Sequence, residues 1–116
     1  MAPAARIRAA PLEGIGGNTM EERKIEARLR VRVRRELGGL CLKFNSAGYT
    51  GVPDRIILLP RGRLVFAELK ATGKKERPRQ VYVQDVLRGL GFTVYSTVDS
   101  YEKVDQIIEE LKRNGV

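Results

Sequence analysis

Residues 53–70 read PDRIILLPRGRLVFAELK, and the reading of the whole chain turns on this stretch. Two apolar runs, 55–59 and 64–69, flank Pro60-Arg61-Gly62. Proline presets the backbone for the first central position of a type I turn, and glycine accepts the left-handed position that follows. The trio therefore reads as a three-residue hairpin loop with a bulge. That loop sets the register: Leu59 opposite Arg63, Leu58 opposite Leu64, Ile56 opposite Phe66 and Asp54 opposite Glu68. A four-residue loop would throw Asp54 to the other face. Side chains alternate along a strand, so Glu68 and Lys70 share a face about 7 Å apart. Asp54, Glu68 and Lys70 then converge at the open end of the hairpin. Both strands are apolar on both faces, which predicts the centre of a sheet covered by helices.

Outward from the hairpin the pattern alternates. Ile25, Leu29, Val33 and Leu37 recur at helical spacing from Glu21 on, and Gly38-Gly39 supplies a stop. The other faces of that helix carry Arg23, Lys24, Arg28, Arg30, Arg32, Arg34 and Arg35, a run that reads first as a solvated face. Leu40 to Asn45 is a short strand, and 46–53 a glycine-containing connection. After the hairpin, 71–78 is a basic loop and 79–90 a helix with Val83, Val86, Leu87 and Leu90 on one side. Gly91 ends it and Phe92 to Thr97 forms a fourth strand. Asp99 followed by Glu102 reads as a capping box opening a last helix through Val104, Ile107, Ile108 and Leu111. The order is α-β-β-β-α-β-α. Residues 1–19 lack this periodicity and read as a flexible extension, with Met20 as an alternative start and 20–116 as the folded domain.

With 116 residues the chain is sized for one domain. Its 22 Lys and Arg against 14 Asp and Glu give +8, which favours a polyanion, above all nucleic acid. No apolar run is long enough to span a bilayer. A single cysteine, Cys41, excludes an internal disulfide framework and reads as packing. No histidine is present, so zinc fingers, a histidine base and histidine-ligated metals are excluded. Any metal must be held by oxygen, and any general base must be Asp, Glu, Lys, Tyr or water. Adjacent carboxylates at Asp54 and Glu68 repel unless a cation sits between them, and magnesium is the hard, oxygen-seeking candidate. Lys70 stands where it can position or deprotonate an attacking water. The rival reading is an ordinary salt bridge from Lys70 to either carboxylate.

Gly51-Val52-Pro53-Asp54-Arg55, then Phe66-Ala67-Glu68-Leu69-Lys70, then Gln80 heading the next helix, resembles the VRR-NUC (virus-type replication-repair nuclease) domain of the PD-(D/E)xK superfamily. The resemblance runs from about Glu21 to the C-terminus. It implies an α/β, restriction-endonuclease-like fold: an α-β-β-β-α-β core with a C-terminal helix and a mixed central sheet flanked by helices. It also implies Asp54 and Glu68 as ligands of Mg2+, with Mn2+ able to substitute, and the Leu69 carbonyl as a further ligand. Lys70 becomes the residue that activates water, Glu26 the helix glutamate near the metal, and Gln80 a residue that arranges the site. Glu26 has a second reading, an ion pair with Arg30, and Glu22 lies one turn away. Family members act on DNA. Small viral ones resemble Holliday-junction resolvases working as dimers, and a large relative cleaves flaps.

The short separation of Glu26 from Asp54 favours the small type. The expectation is therefore a metal-dependent endonuclease of branched DNA, a homodimer on four-way junctions, with no membrane partner. Its location would be intracellular, in a bacterial host's cytoplasm if viral. Flap cleavage and a non-catalytic DNA-binding module are the rivals, and the complete Asp54, Glu68 and Lys70 set argues against the latter. Lys43, Arg55, Lys74, Lys75, Arg77 and Arg79 are the candidate phosphate contacts. Tyr49 either stacks on a base or packs on the fold, and Tyr82 lies near the site in sequence.

Overall fold

Ile25, Leu29, Val33 and Leu37 form one apolar stripe, and the chain buries all four on a single helix, α1 (Met20–Leu37). The computed structural model describes residues 19–115; the flexible extension expected up to residue 19 otherwise lies outside the described residues. Thr19 itself belongs to the fold as the N-cap, its Oγ1 accepting the Glu22 amide at 2.9 Å. At the other end Gly38 takes the left-handed conformation (φ 69°) that closes the helix.

The remaining elements are β1 (Leu40–Lys43), β2 (Arg55–Leu59), β3 (Arg63–Leu69), α2 (Pro78–Gly89), β4 (Thr93–Val98) and α3 (Tyr101–Arg113). They reproduce the expected order. The sheet runs β1-β2-β3-β4, antiparallel at the first two pairings and parallel between β3 and β4. No helix among the described residues is long and apolar enough to cross a membrane.

The hairpin keeps the expected register through Leu59–Arg63, Leu58–Leu64 and Ile56–Phe66, but its loop differs. Arg61 (φ 65°, ψ 27°) and Gly62 (φ 74°) are both left-handed inside a 3-10 turn over Pro60–Gly62. A type I turn would have kept Arg61 right-handed. The ladder also stops at Arg55–Ala67, one step short of pairing Asp54 with Glu68.

One face of the sheet is sealed. Ile57, Leu59, Val65, Ala67, Leu69 and Val98 join the stripe of α1 and the Val104, Ile107, Ile108 and Leu111 stripe of α3 in a continuous core. The two helices are stitched together by charge: Arg28 Nε lies 2.9 Å from Asp105, Arg32 NH1 2.7 Å from the same carboxylate, and Lys112 2.7 Å from Glu36. Arg32 therefore faces α3, and Arg28 pairs with α3 from an exposed position.

The opposite face is only partly covered. Here α2 lies against β4, and Phe66 contacts Phe44 and Phe92 through tilted and edge-on rings. Leu58 stays 36% exposed, so the expected cover on both faces holds only towards β4. Leu90, expected on the packed side, is exposed because α2 ends at Gly89. The capping box expected at Asp99 moves by one: Ser100 caps α3, its hydroxyl accepting the Lys103 amide at 3.2 Å. Asp99 instead faces Lys103 Nζ at 3.6 Å.

Gly39 marks the tightest backbone contact. A Cβ there would lie 2.2 Å from the Leu58 carbonyl oxygen across the β1–β2 pair. Gly39→Ala should lower the unfolding free energy by about 3 kcal/mol in urea titration, because backbone must move to relieve the clash. Gly89→Ala, which meets nothing within 4 Å, should leave stability unchanged or slightly raised.

Candidate active site

Where the β2–β3 ladder ends, two side chains replace the missing rungs. The Asp54 amide donates to Glu68 Oε1 at 3.1 Å, and the Leu69 amide donates to Asp54 Oδ1 at 3.0 Å. Each carboxylate is thus tied to the other's strand. The sequence expectation of Asp54 beside Glu68 holds in space, although the contact runs through side chains and amides instead of a backbone pair. The Leu69 backbone, expected to lend a carbonyl, lies directly against Asp54.

Gln80, at the third residue of α2, connects the rest. Its Nε2 donates to Glu68 Oε2 at 3.1 Å, while its Oε1 accepts from Lys70 Nζ at 3.2 Å and from the Arg77 amide at 2.8 Å. One amide therefore satisfies the start of the helix, orients the lysine and holds the buried glutamate. Lys70 Nζ also lies 3.8 Å from Glu68 Oε2. Glu68 is only 4% exposed. Burial first, and the Asp54 charge second, push its carboxyl up to about 8, with Lys70 opposing. Burial likewise raises the Asp54 carboxyl, against the pull of Arg55.

Arg55 corrects the expectation of a surface phosphate contact. Its side chain points to the inner face of the sheet and is buried. NH1 donates to the Asp54 carbonyl at 2.9 Å and stands 3.5 Å from Asp54 Oδ2, while Nε faces Glu26 Oε2 at 3.8 Å. Arg55 is an internal counter-ion for Asp54 and Glu26. Glu26 is thereby engaged, between Arg55 and Arg30 at 3.4 Å. One turn earlier, Glu22 lines the cleft: its carboxyl is raised by burial and then by Asp54, and Arg55 and Lys70 lower it. The helix carboxylate that shares a cleft with Lys70 is therefore Glu22, where the sequence favoured Glu26.

That cleft, about 370 Å³, is walled by Thr19, Glu22, Lys70, Ala71, Lys74, Lys75 and Arg77. The basic loop expected at 71–78 thus delivers three of the candidate phosphate contacts, Lys74, Lys75 and Arg77, to its rim. Lys43 sits exposed at the end of β1, across from Arg55 in register. Arg79 turns away to the 46–53 connection, where its Nε donates to the Thr50 carbonyl at 3.0 Å. Cys41 is buried, its thiol pushed up to about 12 by desolvation, consistent with packing.

Two supports were not visible in the sequence. Glu76 accepts the Thr97 amide at 2.7 Å where β4 bulges and Thr97 adopts φ 51°. Glu21 accepts the Thr72 hydroxyl at 2.6 Å, joining α1 to the basic loop. Neither pairing has a local pattern, because each links segments distant in sequence.

Among the described residues no group of three or more His, Cys, Asp and Glu side chains is gathered as a closed metal cage. The donor set is instead two carboxylates and adjoining backbone, hard oxygens held together against their own repulsion. That chemistry fits magnesium or manganese, which keep water and substrate oxygens in their shells.

An aspartate at the start of the second strand, Glu-x-Lys at the end of the third and a mixed four-stranded sheet between helices define the PD-(D/E)xK fold class. No family model matches the chain. A solved structure described as "VRR_NUC domain" superposes with a TM-score of 0.71 at 32% identity, covering 78% of this chain and 97% of the other. A protein of Acyrthosiphon pisum secondary endosymbiont phage 1 described as "Putative nuclease p44" is 43% identical over 75 residues, 65% of this chain and 80% of its own length. The chain belongs to the VRR-NUC family.

The raised Glu68 carboxyl sets a pH response. A folded-state value near 8 against an ordinary 4.5 means the proton-bound form stabilises the fold. That contribution is fully present below about 4.5 and is lost as pH rises through about 8. In chelator, the wild-type melting temperature should therefore fall between pH 5 and 9, and Glu68→Gln should flatten that part of the profile. An unchanged slope in the variant would contradict the assignment.

Proposed function

We propose that this chain is a divalent-metal-dependent endonuclease of branched DNA, of the Holliday-junction resolvase type and acting as a homodimer. The observation that carries the reading is the reciprocal Asp54–Glu68 tie with Lys70, which also lines a basic cleft, beside it. The name of the phage relative, a nuclease, supports the reaction class.

Asp54 and Glu68, with the Leu69 carbonyl, would hold Mg2+ or Mn2+, which when bound neutralises phosphate charge and lowers the pKa of water. Everything else is done by the chain. Gln80 fixes the Lys70 ammonium beside Glu68, so Lys70 can orient the attacking water and hold a phosphate oxygen. Glu22 faces the same cleft and can take a proton from that water or order a second one. Arg55 offsets the carboxylates from behind, where no substrate reaches it. Lys74, Lys75 and Arg77 grip the backbone at the rim, a contact that carries no base identity, so selection falls to DNA shape. Two symmetry-related copies would present two equivalent sites to a four-way junction.

The test is cleavage of matched four-way, flap, splayed and linear DNAs with magnesium, manganese or chelator. Paired, metal-dependent cuts near the junction centre are expected. Asp54→Asn should reduce them on the order of 10³-fold. Glu22→Gln should cost on the order of tenfold or more and exceed the effect of Glu26→Gln. Flap-only cutting would discard the resolvase assignment and keep the nuclease. Sedimentation of the free protein as a monomer would discard the dimer.

A further inference from the structure

The 46–53 connection and the first turn of α2 meet in a single stack. The Arg79 guanidinium carbon lies 4.8 Å from the centre of the Tyr49 ring and 5.4 Å from that of Tyr82. The Thr50 carbonyl accepts from Arg79 Nε at 3.0 Å. Gly51, at φ +90°, lets the two segments close up: a Cβ there would lie 2.8 Å from Arg79 Cγ and 3.1 Å from Val83 Cγ2. The stack is therefore held in place from three sides.

It is also open. Tyr49 is 44% exposed and Tyr82 55% exposed, so each ring sets itself against a guanidinium and leaves much of its surface in water. The position is specific too. Arg79 precedes Gln80, whose side chain touches both Glu68 and Lys70, and the connection bearing Tyr49 runs directly into Pro53 and Asp54. Lys74, Lys75 and Arg77 line the cleft that holds Lys70. The surface thus combines flat π-faces with a fixed cation on the residue next to Gln80, which holds Glu68 and Lys70. A nucleotide base is the flat partner that suits it, and only an unpaired base is free to stack on a protein ring.

Resting on the nuclease reading above, we propose that Tyr49, Arg79 and Tyr82 form a stacking platform for an unpaired base on the strand whose phosphate lies at Asp54 and Glu68. The platform then favours a nucleotide splayed from its stack beside the cut, as at a branch point, over continuous duplex. Arg79 acts as a positioning residue that holds the two rings, and the rings make the contact.

The experiment is equilibrium binding in chelator, where no strand is cut. Fluorescence anisotropy would compare duplex DNA, the same duplex with a short single-stranded tail, and that tail with abasic residues. Wild-type protein should prefer the based tail, and an unpaired 2-aminopurine in it should be quenched on binding. Tyr49→Ala and Tyr82→Ala should each weaken tail binding on the order of tenfold and leave duplex binding within about twofold. Tyr49→Phe and Tyr82→Phe should retain the preference, since stacking uses the ring and not the hydroxyl. Melting curves establish that the variants fold.

Equal loss on tailed and duplex DNA, or an abasic tail bound as well as a based one, would overturn the platform. Neither result would touch metal-dependent cleavage by the wild type. Conversely, a stacking preference in a protein that cuts no DNA under any metal would refute the nuclease reading and retain the platform. Failure of the wild type to bind DNA at all would overturn both.

Discussion

The structure depends on two carboxyl groups being held side by side at the end of the β2–β3 hairpin. Asp54 and Glu68 sit where the β2–β3 ladder would have had its next rung, and each accepts a backbone amide from the other's strand. The two backbone amide bonds favour the ionised form of each carboxyl. Burial works the other way and raises both carboxyls. The pair is thus fixed in position while remaining electrostatically unsatisfied, the condition in which a cation binds where it is needed. The surroundings are arranged to keep it so. Arg55 relieves part of the charge from the inner face, and Lys70 and Gln80 hold the outer side without closing it.

The rest of the fold secures this hairpin end. The ion pairs between α1 and α3 reinforce an apolar seam, setting the rotation of α1 and so the direction of its carboxylates. Depressed Asp105 and Glu36 carboxyls reflect that pairing; Glu36 is held down at about 2 by Arg32 and Lys112. Exposed pairs of this kind add little stability singly. Their value here lies in orientation, because a rotation of α1 would exchange Glu22 for a residue of another face.

What the sequence disclosed followed from periodicity and loop length. The α1 stripe, the strand order and the register from Leu59 to Ile56 were legible because each is a local pattern with few alternatives. The convergence of Asp54, Glu68, Lys70 and Gln80 followed from that register and from the Gly-x-Pro-Asp and Glu-x-Lys resemblance. Glu22 against Glu26 was not decidable in this way, since both lie on one helical face and the choice rests on how α1 turns over the sheet. Arg55 was misread because arginine in a basic chain looks like surface. Only the depth of β2 in the sheet shows that its neighbour Asp54 needs a counter-ion from behind. The Glu76–Thr97 contact depends on a bulge in β4 that no residue pattern announces.

The strand order repeats the chain order, and this bears on how the molecule assembles. The β2–β3 pair closes through three residues at its tip, whereas the parallel β3–β4 pair must wait for the whole α2 crossover. Entropy of closure grows with the length enclosed, so the short hairpin is the pairing that forms most readily. The two site carboxylates would then meet while still bathed in water, where their repulsion is weak. Gln80 and the covering helices would then enclose a pair whose geometry is already set.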